Sequence, residues 1–206
     1  MKKLFLSSYF SCVADLFPDF VGRECVGKKL VFIPTASLPD SFPFYVDADR
    51  RALKKLGLIV EDLAITSIPS EIIEKKILST DYIFVSGGNI FFLLQELRRT
   101  SVDKMLIEHI NSGKPYIGSS AGSAILSKDI GYIKYMDSPN AAPNLNDDFS
   151  ALSVVDFCIV PHSTNYQFKG AAAKTIKIFS KTLDIRAISD NQAITVNGDK
   201  VETLTL

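Results

Sequence analysis

Residues 115–126 read PYIGSSAGSAIL, and this stretch decides the fold, because a short apolar run leads directly into serines flanked by glycines. Pro115–Gly118 predicts a strand and Ala121–Leu126 predicts a helix, so the chain turns within three residues. Residues 118–122 match the pattern G-x-S-x-G. A turn this tight strains its central residue, and the two glycines remove Cβ atoms that would otherwise clash.

The central position of this turn belongs to Ser120, which is therefore a candidate nucleophile. At the start of a helix its hydroxyl is held near free N–H groups and the positive end of the helix dipole. The amide of Ala121 is then a donor to an oxyanion. A plain strand–turn–helix, with small residues only for close packing, would have the same sequence pattern. The interpretation of Ser120 as a nucleophile therefore needs a base and an acid elsewhere in the chain.

Short apolar runs alternate with amphipathic segments along most of the 206 residues. Besides Pro115–Gly118, strands are predicted at Lys3–Ser7, Lys29–Pro34, Leu58–Ala64, Asp81–Ser86, Ala151–Pro161 and, around a turn at Asn197–Gly198, within Arg186–Leu206. Besides Ala121–Leu126, helices are predicted at Ser41–Leu56, after Asn89, at Val102–Ile110 and at Ala171–Thr182. This alternation predicts an α/β fold: a mostly parallel sheet with helices on both faces and an antiparallel hairpin at one edge. We expect one domain over residues 1–206.

The amino-acid composition argues against some classes of binding partner. The 23 Lys and Arg residues balance the 23 Asp and Glu residues, so nothing indicates a surface for nucleic acid. Three cysteines fit a reducing compartment better than a disulfide framework. No apolar run is long enough to cross a membrane. We therefore expect a cytoplasmic protein without nucleic-acid or membrane partners, either a monomer or a homodimer.

A second polar turn follows another predicted strand. After Asp81–Ser86 the chain continues with Gly87, Gly88 and Asn89, and Asn89 can cap the next helix. The carboxyl ends of parallel strands meet at one edge of a sheet, so the amide of Gly87 or Gly88 is expected to face the cleft that holds Ser120. A tight turn without chemistry and a phosphate cradle remain open as alternatives.

A serine nucleophile needs a base, and the chain has two histidines. His162 follows the apolar run 157–161 (FCIVP) and lies in a loop, which is where a catalytic base is expected. His109 lies in the predicted helix at Val102–Ile110 and is interpreted as a surface or interface residue. His162 is therefore the candidate base, with a plain loop histidine as the alternative.

The imidazole should in turn be oriented by an acid. Asp190 follows a short predicted strand and is preferred over its competitors, which are Asp129, Asp137, Asp156 and Glu202. An aspartate before a strand is also a common turn residue. Sequence spacing does not show whether Asp190 meets His162.

Metal chemistry is not indicated. Two distant histidines and the absence of paired cysteines give no ligand cluster. Cys158 lies inside an apolar run and is interpreted as a core thiol rather than as a nucleophile. We expect neither a metal nor another cofactor.

Five stretches together resemble the serine peptidase family that contains dipeptidase E and cyanophycinase. They are FIPTAS (32–37), SGGNIFFLLQEL (86–97), IGSSAGSA (117–124), VPHSTN (160–165) and, more weakly, ISDNQAI (188–194). The resemblance implies a flavodoxin-like fold similar to class I glutamine amidotransferases, with a Ser–His–acid triad. It places the nucleophile on Ser120, the base on His162, the acid on Asp190 and the oxyanion donors near Gly88 and Ala121.

The chain departs from this family at two positions. Members that prefer aspartyl substrates carry an arginine after the histidine, whereas residues 165–179 here read NYQFKGAAAKTIKIF. Lys169 or Lys174 would have to substitute, although a lysine lacks the bidentate fork of arginine. The acid, Asp190, is one methylene shorter than the Glu of well-known members.

The sequence thus predicts a serine-type peptidase that cleaves short peptides through Ser120, His162 and Asp190, with an aspartyl preference in doubt. Two alternatives remain open: a non-catalytic small-molecule or regulatory module on the same scaffold, and an esterase or other acyl hydrolase. The sequence does not decide whether the loop Ser138–Asp148 closes over the cleft.

Overall fold

The structure is a computed structural model that describes residues 1–206. Its strands are β1 (Lys3–Ser7), β2 (Lys29–Ile33), β3 (Ile59–Asp62), β4 (Tyr82–Val85), β5 (Tyr116–Ser119), β6 (Cys158–Val160), β7 (Ile185–Ala187), β8 (Gln192–Asn197) and β9 (Lys200–Thr205). Its α-helices are α1 (Phe10–Val13), α2 (Phe17–Phe20), α3 (Phe44–Lys55), α4 (Ser70–Ser79), α5 (Ile90–Arg99), α6 (Val102–Asn111), α7 (Ala121–Ala124) and α8 (Lys169–Phe179).

Seven strands form one sheet in the order β3-β2-β4-β5-β1-β8-β9. The first five are parallel to one another. β8 runs antiparallel to β1, and β9 runs antiparallel to β8, so the last two strands form a hairpin at one edge. The predicted α/β fold, with a mostly parallel sheet and an antiparallel edge pair, is confirmed.

Side chains of the central strands alternate between the two faces of the sheet, as the pleat requires. In β2, Val31 and Ile33 join the larger core, which includes apolar residues of α4, α5 and α6. Leu30 and Phe32 point the other way and pack in a smaller core with residues of α1, α2 and α3. Helices therefore cover both faces, which explains why the central strands are apolar throughout.

Two strands stand apart from the main sheet. β6 and β7 pair in parallel in a small sheet of their own, with Val160 opposite Ala187. The predicted strand Ala151–Pro161 is wrong over its first seven residues. There the amides bond to carbonyls of residues 125–128 instead of a neighbouring strand, while the apolar side chains are still buried. The apolar pattern of this segment thus reports burial and not strand geometry.

Other differences concern element limits and one histidine. The helices α1, α2 and α4 were not predicted, and the α-helix after Ser120 ends at Ala124 instead of Leu126. His109 is buried rather than on the surface, and its Nε2 lies 3.1 Å from the carbonyl oxygen of Pro115. Burial lowers the pKa of His109 to about 4.

The pairing of the strands brings the polar turns to one edge of the fold. Ser7 of β1 lies opposite Ser119 of β5, so Ser8 and Ser120 follow side by side. On the side of β5 that faces away from β1, β4 is its neighbour. β4 ends at Val85, two residues before Gly87. No helix of the protein is long and apolar enough to span a membrane.

Candidate active site

The turn at Ser120 has the strained geometry expected from its glycines. Ser120 has φ 51° and ψ −108°, and its amide donates to the carbonyl of Ser7 at 3.0 Å. A Cβ on Gly118 would lie 2.5 Å from the Gly122 oxygen, and one on Gly122 would lie 2.0 Å from the Val85 oxygen. Larger residues at either position would push the backbone apart, so both glycines are needed for this turn.

The small sheet places the candidate base and the candidate acid. β6 and β7 end at paired residues, and His162 and Asp190 follow within two or three positions. His162 Nε2 lies 2.9 Å from Ser120 Oγ, and His162 Nδ1 lies 2.6 Å from Asp190 Oδ1. The alcohol, the imidazole and the carboxylate are therefore in contact in series, although they come from distant parts of the chain.

The carboxylate of Asp190 is strongly stabilised in its ionised form. The hydrogen bond from His162 is the main cause that lowers its pKa, to about 2, against the opposing effect of partial burial. Asn165 Nδ2 donates to Oδ2 at 2.7 Å and adds to the effect. An ionised Asp190 accepts a hydrogen bond from Nδ1–H, so the proton of the neutral imidazole stays on Nδ1 and Nε2 is free to accept the proton of Ser120.

Ser8 belongs to this network and was not predicted. It is fully buried, and its Oγ accepts a hydrogen bond from the backbone amide of His162 at 2.6 Å. The same hydroxyl donates to Asp190 Oδ1 at 3.0 Å. His162 itself has a left-handed backbone with φ 57°, which the bond to Ser8 helps to hold. The available signal was a serine directly after the strand that pairs with β5.

The ring of His162 is also supported from the side. Phe168 stacks on it with the ring centroids 4.9 Å apart and the planes inclined by 29°. Hydrogen bonds and stacking together leave the imidazole little freedom to rotate away from Ser120.

Three amides near Ser120 have no hydrogen-bond acceptor within the protein: those of Gly87, Gly88 and Ala121. Gly88 has φ +130°, and a Cβ there would lie 2.2 Å from the carbonyl of Ala36. All three residues line the same cavity as Ser120. Free amides beside a serine hydroxyl are suited to stabilising an oxyanion.

Asn89 has the predicted capping role. Its Oδ1 accepts from the amide of Phe92 at 2.8 Å and so caps α5. Its Nδ2 donates to Asp137 Oδ1 at 2.8 Å, and Asp137 Oδ2 accepts from the amide of Ile90. Asp137 is thus tied to the start of α5 rather than to His162.

The cavity in front of Ser120 has a volume of about 410 Å³. Aromatic side chains form much of its wall, namely Tyr9, Phe44, Tyr45 and Phe168. Lys169 and Lys174 are not part of the lining, since their amines lie over the rings of Tyr166 and Tyr135. Neither lysine is placed to substitute for a specificity arginine.

The segment 138–148 also lies outside this lining. It is fastened to α5, because Asn144 donates its amide to Gln95 Oε1 at 3.0 Å and Arg98 pairs with Asp148 at 3.1 Å. No three His, Cys, Asp or Glu side chains of the protein are grouped so that they could hold a metal ion.

Comparison with known proteins gives the same picture along the whole chain. The model of peptidase family S51 matches residues 4–204. An uncharacterized peptidase of Pasteurella multocida is 47% identical over 199 residues, which cover 97% of this chain and 95% of that protein. A peptidase E of Shewanella amazonensis is 31% identical over 184 residues, which cover 86% and 74% of the two chains.

Solved structures share the fold. A crystal structure of a candidate peptidase E from Listeria monocytogenes superimposes with a TM-score of 0.95 at 45% identity and covers 100% of this chain and 99% of that one. A peptidase from an acI-B1 actinobacterium, at 19% identity and a TM-score of 0.70, covers 100% and 88% and shows the fold alone. Because the family model extends from the first strand to the last, this chain belongs to peptidase family S51 and is a serine-type peptidase.

Proposed function

We propose that this peptidase hydrolyses short peptides through an acyl-enzyme, with Ser120 as nucleophile, His162 as base and Asp190 as the acid that orients the base. The observation that carries the proposal is the unbroken series of contacts from Ser120 Oγ to His162 Nε2 at 2.9 Å and from Nδ1 to Asp190 at 2.6 Å. The match of the family model over residues 4–204 supports treating residues 1–206 as one domain.

In the first half of the reaction, Ser120 Oγ attacks the scissile carbonyl carbon while His162 Nε2 takes the hydroxyl proton. The carbonyl oxygen becomes an oxyanion, for which the amides of Gly88 and Ala121 are the free donors. When the tetrahedral intermediate collapses, the C–N bond breaks and His162 delivers its proton to the departing amine.

In the second half, water attacks the ester carbonyl of the acyl-enzyme, and His162 again accepts a proton. Collapse of the second intermediate breaks the bond to Ser120 Oγ, which recovers its proton as the acid product leaves. Asp190 stays ionised throughout and stabilises the imidazolium, consistent with its low pKa. Apart from the substrate and one water molecule, these steps use only groups of the chain.

The size of the cavity supports short substrates. About 410 Å³ lies within the range of sites that enclose a small ligand, and it is bounded by the aromatic wall on one side and by the start of α5 on another.

A library of dipeptides and tripeptides, matched with simple esters, tests the proposal. We expect peptide turnover by the wild type and none above background by Ser120→Ala. Ser163→Ala is the matched control, because Ser163 follows His162 but does not line the cavity. Turnover of esters alone would favour an acyl hydrolase, and a folded protein inactive on every compound would favour a binding module. Either result would contradict the proposal.

A further inference from the structure

The charges that face the cavity are unbalanced. Its lining contains three carboxylates, those of Asp40, Asp137 and Asp190, and no lysine or arginine. Asp190 is paired with His162 at 2.6 Å and is held on that side of the cavity. The other two carboxylates face the cavity without a cationic side chain to oppose them.

Both of these carboxylates are attached to the Gly87–Asn89 side of the cavity. The ring of Tyr45 comes within 3.6 Å of the point where a Cβ on Gly87 would stand, and its hydroxyl donates to Asp40. On the same turn, Asn89 Nδ2 donates to Asp137 Oδ1 at 2.8 Å. A substrate bound beside the free amides of this turn therefore lies near both acids.

The charge of Asp40 acts on Asp137 and on Tyr45. Burial raises the pKa of Asp137 to about 6, and the negative charge of Asp40 adds to that rise. Burial is likewise the main cause that raises the pKa of Tyr45, followed by its bond to Asp40 and by the charges of Asp40 and Asp137. Both acids and the tyrosine line the same cavity.

The two acids are not equally available to a ligand. Asp137 accepts bonds from the amides of Ile90 and Ser138 as well as from Asn89, so its charge is largely compensated. Asp40 is exposed and accepts one hydrogen bond, from Tyr45. Asp40 is thus the carboxylate best placed to attract a charged group of the substrate.

We propose that this cavity selects short peptides that carry a positive charge next to the scissile bond and disfavours an aspartyl side chain there. The inference rests on the proposed peptidase activity and names the substrate class of the same site. A cationic group gains attraction from Asp40, and the aromatic side chains of the wall are suited to contact it. An aspartyl side chain would instead meet carboxylates and no cation.

The required cation is either a free amino terminus or a basic side chain, and four dipeptides separate these sources. They are lysyl-leucine, norleucyl-leucine, aspartyl-leucine and N-acetyl-lysyl-leucine. We expect kcat/KM to be lowest for aspartyl-leucine among the three with a free amino terminus. If the amino terminus is the recognised cation, acetylation lowers kcat/KM more than the exchange of lysine for norleucine does. If the lysine side chain is the recognised cation, the exchange for norleucine lowers kcat/KM more than acetylation does.

Charge-neutralising variants then test the role of Asp40. In Asp40→Asn the ratio of kcat/KM for lysyl-leucine to that for aspartyl-leucine should fall about fivefold, the effect of one exposed charge pair. Asp199→Asn is the matched control, because Asp199 is an exposed acid in the turn between β8 and β9. Equal or better turnover of aspartyl-leucine by the wild type, or equal ratios in both variants, would overturn the inference.

A binding measurement separates failure of the inference from failure of the proposed function. Ser120→Ala is titrated calorimetrically with the same three unblocked dipeptides, so that affinity is read without turnover. Weaker binding of aspartyl-leucine than of lysyl-leucine supports the inference even if no peptide is hydrolysed by the wild type. Equal or tighter binding of aspartyl-leucine overturns it even if hydrolysis is observed.

Discussion

At the scale of single residues, the orientation of His162 depends on groups that touch its ring, its backbone and its acid. Asp190 accepts from Nδ1 at 2.6 Å, and Ser8 accepts from the amide of His162 at 2.6 Å. These contacts fix which nitrogen faces Ser120. Residues that never touch a substrate can therefore control the rate of the reaction.

Replacing Asp190 with Asn should nearly abolish activity while leaving the fold intact. An amide can donate to Nδ1 and so favours the tautomer that cannot accept the proton of Ser120. We expect kcat to fall by about 10³- to 10⁴-fold, measured with the best peptide of the library. Asp156→Asn, at a competing acid that does not line the cavity, should stay near wild type. Equal activity of Asp190→Asn and wild type would remove Asp190 from the mechanism.

Ser8→Ala tests a positioning residue. Without the hydroxyl, the amide of His162 loses its acceptor and Asp190 loses one donor. We expect kcat to fall about 10- to 100-fold with little change in KM, because geometry and not binding is affected. Ser8→Thr, which keeps the hydroxyl, should recover part of kcat. A change confined to the melting temperature, with kcat intact, would assign Ser8 a structural role only.

The difference between these residues explains what sequence could predict at this scale. Ser120, His162 and Asp190 each follow a strand and have side chains that suit nucleophile, base and acid. Ser8 also follows a strand, but its role depends on the register of β1 against β5, which pairs Ser7 with Ser119. Local patterns do not contain that register.

At the scale of elements, the tight connection from β5 to α7 holds Ser120, the proposed nucleophile, at the cavity. The helix has only four residues, yet its first amide is free and its glycine packs on β4. Sequence predicted this unit well, because glycines at fixed spacing have a steric meaning. The strand prediction for residues 151–157 was wrong, because a segment that is buried without pairing to a strand has the same apolar pattern as a buried strand.

Gly122→Ala should disrupt this unit. The added Cβ would stand 2.0 Å from the backbone oxygen of Val85, which cannot move without displacing β4. We expect a loss of at least about 2 kcal/mol in the free energy of unfolding, measured by urea denaturation. Gly170→Ala is the matched control, since nothing lies within 4 Å of its Cβ position and alanine favours the helix. Equal stability of both variants would show that the close approach is not required.

At the scale of the whole molecule, one buried acid links stability to pH. Asp49 on α3 is fully buried, its Oδ1 accepts from the amide of Ser11 at 2.9 Å, and its Oδ2 has no partner. Burial raises its pKa from 3.8 to about 7. The folded protein therefore holds this proton more tightly than the unfolded chain does.

The sign of the effect follows from that difference in proton binding. As the pH rises from about 4 to 7, the unfolded chain releases the proton first, so the contribution of Asp49 to folding stability falls across this window. Asp49→Asn removes the group and should remove this fall from the pH dependence of stability between pH 4 and pH 7, measured by urea denaturation. Asp199→Asn, at an exposed acid, should keep the slope of the wild type. A wild-type slope in Asp49→Asn would contradict this account of Asp49.

The whole chain also shows why the family and the fold can be predicted from the sequence more fully than the substrate can. The five sequence stretches that resemble the peptidase family were enough to predict the fold and the chemical type of the enzyme. Substrate preference depends on which side chains face the cavity, and here Asp40 and Tyr45 come from a segment that carries no catalytic pattern. The packing of the helices and strands brings these two side chains to the cavity, and local sequence patterns do not contain that packing.

The central claim is that Ser120 is the activated nucleophile, and mass spectrometry of a covalent adduct tests it most directly. Incubation of the folded protein with a fluorophosphonate, followed by digestion, should give one adduct per chain on the peptide that contains Ser120. Labelling should disappear in Ser120→Ala and slow strongly in His162→Ala. An adduct on another residue, or a fully active protein that stays unlabelled at Ser120, would contradict the account.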